Sequence, residues 1–180
     1  MKRSSIIGSL ASLLVFGGLS ACSGTPTACD PNGPLLDKAQ LCPDRYSLGF
    51  AQEFNSGTII GTSPPNTLSI RNGGLQDLTI DSLEPTGASQ FAVSYSYDLP
   101  DGGTGSTLPV SIPGNKHFFI QVLFTPTQSK LYNGLITVKS NAQNAPPPDA
   151  GCGSDWCFPM TGCGVPADAG TAPWCLRSGG

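Results

Sequence analysis

Charge is scarce in this chain. Only 12% of its 180 residues are Asp, Glu, Lys or Arg, and the nine basic residues form no cluster. A surface that neutralises phosphates needs such a cluster, so nucleic acid is excluded as a partner. Histidine is almost absent as well: His117 is the sole one, and a serine–histidine–acid triad would have to use it. It lies inside a strand-like run, where a ring among aromatics is structural. No C-x-x-C pair occurs, which argues against thiol oxidoreductases and zinc knuckles. Around Asp98 and Asp101 the calcium ladder D-x-[DN]-x-[DN]-G is missing, and Gly103-Thr104-Gly105 lacks the strand-to-helix setting of a phosphate loop. Asp77, Asp81 and Glu84 sit about a strand pattern that reads as a solvated outer face. No enzyme constellation, metal or cofactor is expected.

Turn formers, by contrast, are plentiful, with 23 glycines and 17 prolines. Low charge, many turn residues and short β-branched runs point to a small all-β domain. The chain begins with a positive start, Met1-Lys2-Arg3, and an apolar run from Ile6 to Leu19. That run is shorter than the roughly 20 residues of a spanning helix and stops at small residues, the plan of an export signal. Leu19-Ser20-Ala21-Cys22 resembles the lipobox of bacterial lipoproteins, which implies that residues 1–21 are removed and that Cys22 becomes the acylated first residue. The other reading is an ordinary signal cut after Ala21. Ser23 follows where an acid would retain the protein at the inner membrane, so the resemblance implies a lipid anchor in the outer membrane of a bacterial envelope. Loss of Lys2 and Arg3 moves the formal charge from −3 to −5.

Acylation of Cys22 leaves six cysteines: Cys29, Cys42, Cys152, Cys157, Cys163 and Cys175. An exported compartment permits disulfides. Proximity favours Cys29 with Cys42, and two bridges would then tie Cys152, Cys157, Cys163 and Cys175. A bridge from the N-terminal pair to the tail is the open alternative. Trp156 and Trp174, each just before a cysteine, are expected to pack over a disulfide.

Residues 22–45 read as a tether, with one helical turn expected over Leu35–Leu41. From Tyr46 short strand candidates alternate with turn signals: 46–50, 58–60, 67–72, 77–83, 90–97, 108–112, 116–124, 132–140 and 157–162. Nine such runs predict a sandwich of seven or eight strands. Phe118, Ile120, Val122 and Phe124 share one face and are assigned to the core, as are Ile136 and Val138. Phe119 and Leu123 lie on the opposite face with His117 and Gln121, and that face is expected to be covered by a loop.

The stretch FTPTQSKLYNGLITVKSN at 124–141 resembles the F-x-P-x-x-x-G-x-Y-x-G-x-L-x-I-x-S-N signature of ASPM/SPD-2/Hydin domains, whose bacterial members are often termed choice-of-anchor D proteins. Phe124, Pro126, Tyr132, Gly134, Ile136, Val138, Ser140 and Asn141 fit, whereas Lys130 stands where glycine is usual. Upstream, Leu48 and Phe50, then Leu68, Ile70, Asn72 and Gly74, then Leu78, Ile80, Phe91 and Val93 follow the same order, and FPMTGCG resembles the closing strand. The resemblance implies an immunoglobulin-like antiparallel β-sandwich akin to PapD and major sperm protein over residues 46–164; the tail at 165–180 is expected, from its cysteines, to be disulfide-tied. It also implies a role in protein interaction or surface display rather than catalysis. Two insertions, 98–107 and 142–155, are either binding loops or solvated variable loops. The partner is expected to be a protein or an envelope polymer, met by edge-strand pairing or loop contact. A passive envelope spacer is the alternative, and a small envelope enzyme or enzyme subunit is the third.

Overall fold

The structure is a computed structural model describing residue 29 and residues 33–50, 57–99, 101–146 and 151–168. Cys22, Trp174, Cys175, the export signal and most of the tail therefore lie outside the described residues.

Among the described residues, twelve strands form two sheets. The first holds β1 (Leu41–Pro43), β4 (Pro65–Asn72), β9 (His117–Phe124), β6 (Phe91–Asp98) and β7 (Thr104–Gly105), in the spatial order β1-β4-β9-β6-β7. The second has the order β11-β12-β10-β5-β8, made of Gly151–Cys152, Asp155–Val165, Leu131–Ser140, Leu78–Gly87 and Val110–Ile112. β2 (Leu48–Phe50) and β3 (Thr58–Ile59) pair with β12 in parallel, while the other ladders are antiparallel.

Strand order decides the fold class. β1-β4-β9-β6 facing β12-β10-β5 is the A-B-E-D against G-F-C arrangement of an immunoglobulin-like sandwich. A tyrosine corner accompanies it. Tyr132, near the start of β10, accepts hydrogen bonds at its hydroxyl from the Gln128 N–H at 2.9 Å and the Thr127 N–H at 3.3 Å. Burial alone would raise the Tyr132 pKa, but the bonds from Thr127 and Gln128 and the nearby Lys130 charge outweigh it and lower it. Lys130, at the position where glycine was expected, lays its ammonium 5.1 Å from the centre of that ring.

The core sits between the sheets. Phe118, Ile120, Val122, Phe124, Ile136 and Val138 are fully buried, as their alternation predicts. Phe124 is the hub of an aromatic cluster, with Phe91, Phe50 and Tyr132 at 4.8, 5.4 and 5.4 Å between ring centres. Gly162 lies directly against the Phe124 ring, leaving no room for a Cβ.

All nine strand candidates contain a strand, with β1, β7 and β11 in addition. The helical turn expected over Leu35–Leu41 does not form. Leu36 makes a parallel bridge to Gly74, Ala39 and Leu41 are buried, and β1 pairs with β4. These apolar residues reach the core in extended form because partners outside the segment take its backbone bonds, a tertiary override of local propensity. So Leu36–Pro43, assigned to the tether by composition, packs against the sandwich.

Candidate interaction surface

The outer face of the five-stranded sheet takes its shape from the register of three strands. Its rows are Arg71–His117–Asp98, Ser69–Phe119–Ser96, Thr67–Gln121–Ser94 and Pro65–Leu123–Ala92. The large side chains therefore stand in a ridge along β9, flanked by small ones on β4 and β6. Leu123 is 37% exposed and Phe119 half-buried, the latter stacked on His117 at 5.8 Å. Here the structure corrects the expected loop cover: among the described residues no loop closes over Leu123. The described residues of both insertions go elsewhere. Residues 98–107 fold into a hairpin that extends β6 with β7, turned by Asp101, whose Oδ1 accepts the Gly103 N–H at 3.1 Å. The start of the second insertion runs back to the segment before β2.

That return is made by one side chain. Asn144 accepts the Leu41 N–H and donates to the Leu41 carbonyl, both at 2.8 Å, in the manner of a paired strand residue. Gln143 N–H reaches the Ala39 carbonyl at 2.9 Å. Asn72 does more. Fully buried, its Oδ1 accepts the Gly74 and Gln40 N–H groups at 2.9 and 3.3 Å, and its Nδ2 donates to the Gln76 and Ile112 carbonyls, each at 2.8 Å. All four bonds available to an amide side chain are used. Asn141 similarly accepts from the Thr79 N–H at 2.8 Å and donates to the Asp77 carbonyl at 3.2 Å. Sequence reading placed Asn72 and Asn141 in motifs but missed these roles, and the N-x-G spacing at Asn72–Gly74 was the available signal.

At the β1 end of the face lies a cleft of about 360 Å³, lined by Cys29, Cys42, Pro43, Asp44, Ser69, Arg71 and His117. Its polar side chains have partners. His117 Nδ1 lies 3.4 Å from Asp98 Oδ2, Arg71 donates to Asn115 at 3.3 Å, and Asp44 pairs with Arg45 at 3.0 Å while accepting the Ser69 N–H. Among the described residues no hydroxyl is hydrogen-bonded to the His117 ring, and no three His, Cys, Asp or Glu side chains converge as metal ligands. Asp77, Asp81 and Glu84 do not form one carboxylate group. Asp77 accepts from Ser111 at 2.7 Å, and Glu84 pairs with Lys139 at 2.7 Å. The Lys139 hydrogen bond, with that from Ser82, lowers the Glu84 pKa.

Cys29 is bonded to Cys42 and Cys152 to Cys157, with Cα atoms 4.9 and 5.8 Å apart, and Cys163 is disulfide-bonded too. Trp156, before Cys157, is buried between the rings of Tyr46 and Phe158, at 6.5 and 6.3 Å.

No protein-family model matches the chain, and no curated protein matches it. Among solved structures it is similar to the ASH/PapD-like domain 7 of human CEP192, at 12% identity and a TM-score of 0.43, covering 93% of this chain and 99% of that one. The secreted serine protease VesC of Vibrio cholerae is similar at 9% identity and a TM-score of 0.39 over 71% of this chain, which spans 23% of that protein. SSP-19, an MSP-domain protein of Caenorhabditis elegans, follows at 11%, a TM-score of 0.38, and 67% and 97% coverage. The immunoglobulin-like assignment rests on this chain's own strand order and tyrosine corner.

Proposed function

We propose that this chain is a lipid-anchored protein of a bacterial cell envelope, held in the outer membrane through Cys22, whose immunoglobulin-like domain presents a contact surface to another protein or to an envelope polymer. The observation that carries the reading is the uncovered β9 ridge. Leu123 and Phe119 stand on an outer sheet face whose flanking β4 and β6 positions, from Pro65 to Ser69 and from Ala92 to Ser96, carry no charge. Apolar side chains on this uncharged stretch of the face gain from burial against a partner, at about 25 cal/mol per Å² removed from water. The anchor would confine the domain near the membrane, so a weak contact would suffice.

A photo-crosslinking residue at position 123 of the full-length chain, activated in intact cells, tests this. Discrete adducts that disappear when Phe119 is changed to Ser are expected. A chain that forms no adduct from this position would be a spacer.

A further inference from the structure

Among the described residues β6 has a long strand edge that is neither covered by another strand nor interrupted by proline or charge. Hydrogen-bond parity shows which groups face outward. The Thr125 N–H donates to the Gln90 carbonyl at 2.9 Å, so the even-numbered residues of β6 face β9. The Leu99 N–H donates to the Gly103 carbonyl at 2.8 Å, so the odd-numbered ones face away, toward β7. β7 covers only Tyr97 and Asp98. The N–H and C=O of Val93 and of Tyr95 and the Phe91 carbonyl are consequently aimed outward with no partner among the described residues.

The other edges are protected. β4 is covered by β1 over Ile70–Asn72, its Ser69 is bonded on both backbone groups by Asp44, and it starts at Pro64-Pro65. β5 is covered by β8 at Leu78–Ile80 and beyond that carries Asp81, Glu84 and Pro85. β12 is flanked by β2, β3 and β11. From Phe91 to Tyr97, β6 has no proline, no charge and no bulge, so none of the devices that blunt an edge is present. Val93 and Tyr95 on β6, with Leu83 on β5 and Val110 on β8, pack on the core yet remain partly exposed.

We propose that the β6 edge binds an extended segment of a partner protein, which adds as a sixth strand to the five-stranded sheet. It would place alternate apolar side chains over Leu83, Val93, Tyr95 and Val110. The backbone groups dictate a strand, and charge selects its kind. Asp81 on β5 and Asp101 at the β6–β7 turn are acids with no cation partner among the described residues, whereas Glu84 is paired with Lys139 and Asp98 with His117. A second copy would bring the same acids against them. A segment alternating valine or leucine with lysine or arginine is complementary. The proposal rests on the interaction-module reading but uses a different surface from the β9 ridge.

The probes are a nine-residue peptide alternating valine with lysine and its twin with glutamate for lysine, added to the full-length chain in detergent. Expected is at least about tenfold slower amide exchange at Val93 and Tyr95 with the lysine peptide, and binding about tenfold weaker for the glutamate twin. Val93→Pro removes an outward N–H without touching the ladder to β9, so the fold should persist by circular dichroism while peptide binding is lost. N-methylation of alternate peptide residues, which needs no protein variant, should abolish binding in one register and spare it in the other. Three results would overturn the proposal: no protection at these amides, equal binding of both peptides, or slow exchange before peptide is added, whether concentration-independent from the chain's own cover or concentration-dependent from a second copy. Phe119→Ser with Leu123→Ser should leave peptide binding intact, so failure of the ridge contact and failure of the edge contact are distinguishable.

Discussion

Replacement of Asn72 by Ala should be among the most damaging single changes in the domain. Its side chain is fully buried and closes four hydrogen bonds, to Gln40, Gly74, Gln76 and Ile112, which belong to three separate backbone segments. An alanine leaves two N–H and two C=O groups without their partner. An unsatisfied buried group costs about 1–3 kcal/mol, and water entering the vacated volume recovers part of this, so a loss of roughly 3–5 kcal/mol follows. A domain of this size has a stability on the order of 5–15 kcal/mol, so the midpoint should fall by about 10 °C. Asn72→Asp is a sharper probe, because it keeps the acceptor toward Gly74 and Gln40 but turns carboxylate oxygen toward the Gln76 and Ile112 carbonyls. It should be at least as damaging as the alanine. Urea unfolding of the three proteins at equal pH is the assay, with the exposed Asn133→Ala as a control expected within about 0.5 kcal/mol of the parent. A loss below about 1 kcal/mol for Asn72→Ala would refute the argument that this amide fastens the segment before β2 to the sandwich.

Other substitutions test other parts of the account. Gly162→Ala, which drives a methyl into the Phe124 ring, should cost about 1–3 kcal/mol in the same urea assay. Tyr132→Phe keeps the ring cluster but loses the bonds to Thr127 and Gln128 and should cost about 1–2 kcal/mol. Cys29→Ala with Cys42→Ala opens a loop of 13 residues and should lower stability by roughly 2–3 kcal/mol, with no further loss on adding reductant at that bridge. Leu123→Ser should leave the unfolding midpoint within about 0.5 kcal/mol while reducing the crosslinking yield from a neighbouring ridge position, because the side chain lies on the surface.

Local periodicity made much of this fold legible. Phe118, Ile120, Val122 and Phe124 alternate with more polar or exposed neighbours, and such a pattern has one burial solution. Phe124, Pro126, Tyr132, Gly134 and Ile136 are picked out by the resemblance of residues 124–141 to a family signature, not by periodicity. Leu35–Leu41 failed because its apolar spacing suits a helical turn as well as a strand, and the deciding partners, Gly74, Asn72 and Asn144, lie far along the chain. Among the described residues no loop closes over Leu123, and this was missed for a related reason. Whether an insertion folds over a face or away from it depends on the Asp101 turn and on Asn144 reaching Leu41, neither of which is a pattern in composition. The open β6 edge could not be read from residues 91–97 at all. Alternation states that a strand is half-buried, while its neighbours in the sheet are set by topology.

The compartment is the premise beneath the contact reading, since a domain that is neither anchored nor exported would meet different partners in a reducing medium. Intact mass of the full-length chain extracted from membranes, measured with and without reduction and alkylation, tests that premise most directly. The account predicts loss of residues 1–21, added acyl mass on Cys22, and six cysteines that react with alkylating reagent only after reduction. An unlipidated chain, or six thiols free before reduction, would contradict it.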